Sequence, residues 1–377
     1  MPPSIYEFIK SEENRFETEE IQVGDNWHWN MRKHIQLIFH LMHGVFYTGE
    51  NNWMRAFKKV MRSFVNLSLW TEDIELKEVE FFIENENGRV SSFLLKKYHD
   101  EVYTREHDLD TFFDELAESD IAYGGALVQK GVERPEVIPL QSVAFCDQTE
   151  MLGGPIGFKH YFAPEKLRGM SKYGWGDEKN GATISIEDLI ALATFEKDSF
   201  GTLNQKKNKV PGKTIEVYIL KGSLPEHYLN DNEDMEYFCG QVQIRAFYTD
   251  KDGNKEGVCL YRKKEQDSSL KILITDKVHG RALGFGDGEA LLPEQIWTNF
   301  VSIHKMNLVE AGSKVLIGTD DENWTQKNKV QDMENLEVST FQEGRRAFQI
   351  PTAAPANFQL LESTVNELYE SAQINVS

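Results

Sequence analysis

Residues 279–317, HGRALGFGDGEALLPEQIWTNFVSIHKMNLVEAGSKVLI, place three glycines, Gly284, Gly286 and Gly288, directly before a long helical pattern. Pro293 suits a first helical turn and Gly312 can end the helix, so the spacing predicts a helix over 293–311. Ile296, Phe300, Ile303 and Asn307 fall on one face, and Trp297, Val301, His304 and Leu308 on an adjacent one. Two such faces predict a helix that packs against two neighbours.

The glycines could cradle a phosphate, because a glycine-rich loop before a helix brings backbone amides to an anion. The spacing here is GxGxG, where the dinucleotide fingerprint is GxGxxG, and neither GKS nor GKT follows. Two readings therefore stand: a nucleotide-dependent enzyme using 284–288, or a structural hinge that turns the chain into the helix.

Upstream, residues 1–24 are acidic and weakly periodic and predict an arm that is extended or ordered only by a partner. Ile35, Ile38, Met42 and Val45, with Leu37 and Leu41 alongside and Gly44 as a stop, predict a helix buried on more than one side. Trp53, Ala56, Phe57, Val60, Met61 and Phe64 predict a second helix over 53–67, whose far side carries Arg55, Lys58, Lys59 and Arg62. That basic stripe is either a solvated face or a contact for nucleic acid or an acidic partner. Residues 74–83 alternate like a strand before an Asn87-Gly88 turn, and 90–116 return to helical spacing. From Ile121 the signals are mostly strands: IAYGGALVQK, PEVIPLQSVAFCD, GFKHYFAP, TIEVYILKGSLPEHYL, YFCGQVQIRAFY and GVCLYRKK, with a short helix near 185–195 and an Asp252-Gly253 hairpin signal.

Downstream, 315–350 is polar, with turn signals at 318–323 and Glu343-Gly344. Its short apolar runs at 315–317 and 347–350 could pair as strands between two antiparallel helices. The second of these helices, over 357–372, carries Phe358, Leu361, Val365 and Leu368 at helical spacing. Helices first and strands later predict an α+β chain.

Forty-one basic against sixty-one acidic residues give a net charge of −20, which argues against a broad phosphate-gripping face. Cys146, Cys239 and Cys259 have no CxxC spacing, so a reducing compartment fits best and no zinc knuckle is indicated. His34, His40 and His43 share a helix but lack a third ligand pattern or HExxH, leaving core or interface histidines as the reading. No catalytic constellation, cofactor or metal is expected, nor a signal peptide or membrane span.

The 279–317 stretch resembles the part of phage portal proteins in which a GxGxGE-like loop leads into a long helix and then a strand. IAYGGALVQ with EVIPLQSVAFCDQTE and GFKHYFAPEKL resembles the helix, small-residue strand start and paired strands of that family, and TIEVYILKGSLPEHYL and GVCLYRKK resemble the strands before its glycine loop. The closest flavour is that of portals of phages infecting Bacteroidetes, crAss-like phages among them.

The resemblance implies a virion protein at the capsid vertex: a homo-dodecameric ring around a channel through which double-stranded DNA passes without sequence preference, serving packaging and ejection. It divides the chain into an N-terminal arm (1–26), a wing (27–288), a stem helix (289–314), a clip (315–350) and a returning helix (351–377), after which the family continues into a crown, so truncation is expected. Arg55, Lys58, Lys59, Arg62, Lys305 and Lys314 become candidates for DNA or partner contact. Asp320, Asp321, Glu322, Trp324, Lys327 and Lys329 become clip candidates for docking. The implied partners are the terminase motor, a head-tail adaptor, and major capsid or scaffolding protein. Another phage neck or adaptor protein is the structural alternative.

Overall fold

Ser4 and Glu7 open the first helix, α1 (Ile5–Thr18), with a reciprocal cap: Ser4 Oγ accepts from the Glu7 amide (3.2 Å) and the Glu7 carboxylate accepts from the Ser4 amide (2.9 Å). Such a cap is worth about 1 kcal/mol. Ile9 and Phe16 are buried, so these acidic residues form a packed helix and not an extended arm. The acidic composition hid four-residue apolar spacing behind a solvated face.

The structure is a computed structural model that describes residues 4–25, 27–44, 58–71, 80–82, 88–131, 134–193, 214–230, 237–249, 255–265, 269–313, 316–319, 347–350 and 355–376. The chain divides into two compact units, Met1–Phe39 with Val65–Ala290, and His40–Phe64 with Leu291–Ser377.

In the first unit a short ribbon, β1 (Ile21–Gln22) with β2 (His28–Trp29), leads to α2 (Met31–His43). Asn30 caps α2 through Oδ1 to the Lys33 amide, while its Nδ2 donates to the Phe16 and Glu19 carbonyls. Ile35, Ile38 and Met42 are buried but Leu37 is exposed, so α2 buries one stripe rather than several sides. It ends at Gly44 in the left-handed conformation (φ 66°), as the sequence indicates.

After α3 (Val60–Thr71), α4 (Gly88–Tyr98) passes into a π-helical turn (His99–Tyr103), α5 (Thr104–Glu106) and α6 (Leu109–Tyr123). Ile121–Tyr123 were expected to start a strand. They complete α6, and Gly124 (φ 74°) closes it by donating to the Asp120 carbonyl. The expected strand over 74–83 lies almost wholly outside the described residues.

β3 (Ala126–Lys130) and β4 (Pro135–Ile138) follow, then β5 (Val143–Phe145), β6 (Ile156–Phe162), α7 (Pro164–Gly169), α8 (Ile186–Ala193), β7 (Ile215–Pro225), α9 (His227–Asn230), β8 (Phe238–Thr249), β9 (Lys255–Lys264) and β10 (Leu270–Leu273). Strands β5 to β9 form an antiparallel sheet in sequence order, and β10, β3 and β4 form a second. Leu167, Leu189, Val217, Ala246 and Leu260 join the core that α7 and α8 make on the larger sheet. Gln241 and Gln243 are fully buried in β8. Gln241 Nε2 donates to the Leu224 and Pro225 carbonyls and Gln243 Nε2 to the Tyr228 carbonyl, so the sheet closes over satisfied amides. The unit ends with α10 (Asp287–Ala290).

The second unit contains α11 (Leu292–Ser313), β11 (Leu316–Thr319), β12 (Ala347–Ile350) and α12 (Pro355–Val376). β11 and β12 pair antiparallel in the register Leu316↔Ile350, as the two apolar runs predict. Glu294 meets Ser371 and Lys305 meets Glu362, so α11 and α12 run antiparallel. Among the described residues no helix is long and apolar enough to cross a membrane.

Candidate assembly surface

The glycine loop is a backbone crossing. Gly284, Gly286 and Gly288 are buried against residues 121–125 at the end of α6. A Cβ on Gly286 would stand 2.4 Å from the Gly124 amide nitrogen, and one on Gly288 2.2 Å from the Ala122 carbonyl oxygen. The Gly284 amide donates to the Gly124 carbonyl and the Phe285 amide to the Asp276 carbonyl, each at 2.8 Å. Amides spent on protein carbonyls cannot cradle a phosphate, and close approach of two backbones accounts for all three glycines.

Beside the crossing lies a cluster that sequence reasoning missed. The Arg281 side chain is fully buried, donates to the Leu283 and Gly284 carbonyls, and pairs with both oxygens of Glu289 at 3.0 and 2.7 Å. Its guanidinium lies over the rings of Trp27 (5.2 Å) and Trp29 (5.3 Å). His34 Nε2 stands 3.5 Å from Glu289. An arginine among loop glycines reads as solvent-facing, and only the two upstream tryptophans could have hinted otherwise.

Burial pushes the His34 imidazole below its ordinary pKa; Glu289 opposes that shift and Arg281 adds to it. Below the unfolded value of about 6.5 the unfolded chain binds the extra proton first, so stability falls as pH drops from there towards the lowered folded value. The slope of unfolding free energy between pH 7 and pH 5 should be shallower in His34→Gln than in the parent. Parallel slopes in urea titrations would remove His34 from the acid response.

The second unit carries an exposed apolar surface on α11. Along α11 the polar residues Glu294, Gln295, Thr298 and Ser302 are buried, whereas Ile296, Trp297 and Phe300 are 50 to 56% exposed. Gln295 explains part of this inversion: its Oε1 accepts from the Met61 amide (2.9 Å) and its Nε2 donates to the Lys58 carbonyl (2.7 Å), capping the start of α3. Lys58 and Lys59 thus precede the helix, and only Arg62 of the described stripe residues lies on it, so a four-residue basic helix face is not formed there; Arg55 lies outside the described residues.

Trp297 and Phe300 meet edge to face at 5.6 Å, and Phe300 meets His304 at 4.3 Å, making an aromatic row along the outer side. Within the second unit α11 has two neighbours, α12 and the start of α3, but among the described residues Ile296 and Phe300 of the predicted face remain exposed.

No family model and no curated protein matches the chain. Among solved structures, a chain of the virion of a native gene transfer agent (GTA) particle is similar to it, with a TM-score of 0.35 and 7% identity over 94% of this chain and 69% of that one. At that score the overlay identifies no component of the particle in this chain.

Of the remaining sequence candidates, Lys305 forms an exposed ion pair with Glu362 (3.4 Å). Lys314, Asp320, Asp321, Glu322, Trp324, Lys327 and Lys329 lie outside the described residues. His34, His40 and His43 do not assemble with other ligands: among the described residues no three His, Cys, Asp or Glu side chains gather as a metal site.

Proposed function

We propose that the chain is a ring-forming portal-type subunit of a tailed-phage-like virion, with no catalysis of its own. The observation that carries this reading is α11, which buries its polar side and presents Ile296, Trp297 and Phe300 outward. An aromatic face of this kind on a polar-backed helix is the mark of a surface meant for protein. A face covered by the next copy through a heterologous contact closes a ring when the rotation per subunit divides the circle.

Two further features support the reading. The antiparallel helices α11 and α12 flank the β11–β12 pair, the order expected of a stem, a clip and a returning helix. A net charge of −20 suits a conduit, since an acidic wall repels phosphate and lets duplex DNA slide. On this reading the 320–329 segment docks the terminase motor and the head-tail adaptor, and the outer body meets capsid or scaffolding protein. The Gly284 and Phe285 amides, committed to protein carbonyls, and the close packing of Gly286 and Gly288 against the end of α6 disfavour the nucleotide-dependent alternative.

Negative-stain images and native mass spectrometry of the purified chain should show closed rings, about twelve copies each, with an open centre. Discs or stacked tubes without a channel would favour a neck or adaptor protein. A monomer or dimer at high concentration would defeat the ring.

A further inference from the structure

We propose that the helix α4 of one copy docks on α12 of the next, an inference that names the complementary surface of the ring proposed above. α4 is a helix with little of its own to bury: Val90, Phe93, Leu94, Leu95 and Tyr98 are all exposed, Phe93 by 65%. Its sequence, GRVSSFLLKKY, carries Arg89, Lys96 and Lys97 and no carboxylate. On a 3.6-residue turn Arg89, Phe93 and Lys97 form one row, a large ring between two cations.

α12 is the opposite in charge and alike in build. It carries Glu362, Glu367 and Glu370 and no basic residue, with Leu360 66% and Tyr369 37% exposed. Val365 and Ala372 are its buried side, and Glu362, Asn366 and Glu370 form a row facing away from them.

Arg89 to Lys97 and Glu362 to Glu370 each span eight residues, about 12 Å at the helical rise. Equal charge spacing on two helices lets both ends pair in one docking while Phe93 is covered between them. In a strongly acidic chain, a helix with three cations and no anion has a suitable acceptor on another copy of the same chain. That is charge complementarity setting partner and register, with the apolar residues supplying affinity.

The test uses two full-length variants and their mixture, read by native mass spectrometry, with circular dichroism checking that each remains folded. The first is Arg89→Glu with Lys97→Glu. The second is Glu362→Lys with Glu370→Lys, the two charged ends of the row; the pair that Glu362 makes with Lys305 within the chain is exposed and of the kind that contributes little to the fold. Each alone opposes like charges at every α4–α12 contact and should raise the concentration needed for assembly at least tenfold. Mixed one to one, the variants can alternate around a ring with every contact again of opposite sign, and assembly should return.

Variants that each assemble like the parent overturn the pairing and leave the ring intact. Variants that fail singly and also fail when mixed overturn it as well. Restored complexes that are not closed rings support the pairing and defeat the ring reading. A parent chain that stays monomeric defeats both.

Discussion

Replacing Trp297 and Phe300 together by aspartate should leave a folded monomer at concentrations where, on the function proposed above, the parent forms rings. Both side chains are more than half exposed, so the change removes little that holds the single chain together, and surface substitutions of this kind usually alter stability by about 0.5 kcal/mol or less. Across the proposed interface the same residues would be central aromatic anchors, and such anchors are worth about 2 kcal/mol or more each when lost. Two of them amount to roughly a thousandfold in association, since 1.4 kcal/mol is tenfold. The introduced carboxylates would also have to be buried without partners. Mass photometry across a concentration series reads the result directly. Rings persisting at the parent's concentration, with unchanged melting, would show that this face is not the one that neighbours cover.

The second large effect belongs to Arg281. Arg281→Ala leaves the Glu289 carboxylate without the guanidinium that meets both of its oxygens and frees the Leu283 and Gly284 carbonyls. Breaking a buried pair from one side costs about 3–5 kcal/mol, a large part of the 5–15 kcal/mol that a folded protein has in total. Arg281→Met with Glu289→Met removes both charges and keeps the volume filled, so it should recover most of that loss. Urea midpoints of the single and double variants measure the difference. A double variant as unstable as Arg281→Ala would mean that the carbonyl contacts, and not the pair, hold the crossing.

Alternation made the strands between 143 and 264 legible, because one face of each is apolar and the turns between them are marked. The Gly44 stop, the helix after Pro293 and the pairing of the runs near 316 and 350 could be read for similar local reasons. Ile121–Tyr123 read as a strand because their side chains suit a strand as well as a helix, and the small residue Gly124, which resembles a strand start, closes a helix. The acidic first helix was missed because charge outnumbers apolar residues in it and its cap lies in a single Ser-x-x-Glu. Arg281 was invisible for another reason: its burial depends on Trp27 and Trp29, some 250 positions upstream. The inversion of α11 could not be read at all, since periodicity finds an apolar face but does not say which chain will cover it.

The glycine crossing also sets an order of events during synthesis. Gly124 and its contact residues 284–288 are separated by about 160 positions, so the capped end of α6 cannot be packed over until most of the chain has been made. Closing so long a loop is slow, and contacts of this range form after local ones. The β5 to β9 sheet, whose strands neighbour one another in sequence, can assemble while the ribosome is still working. The crossing then acts as a latch fastened late, and the helix it leads into, with its aromatic face, is translated only at that same stage. On the proposed assembly, α4 is made early, but the aromatic side of α11 and the α12 on which α4 would dock are translated only after the segment that locks the first unit, which limits premature association between half-made neighbours on one message.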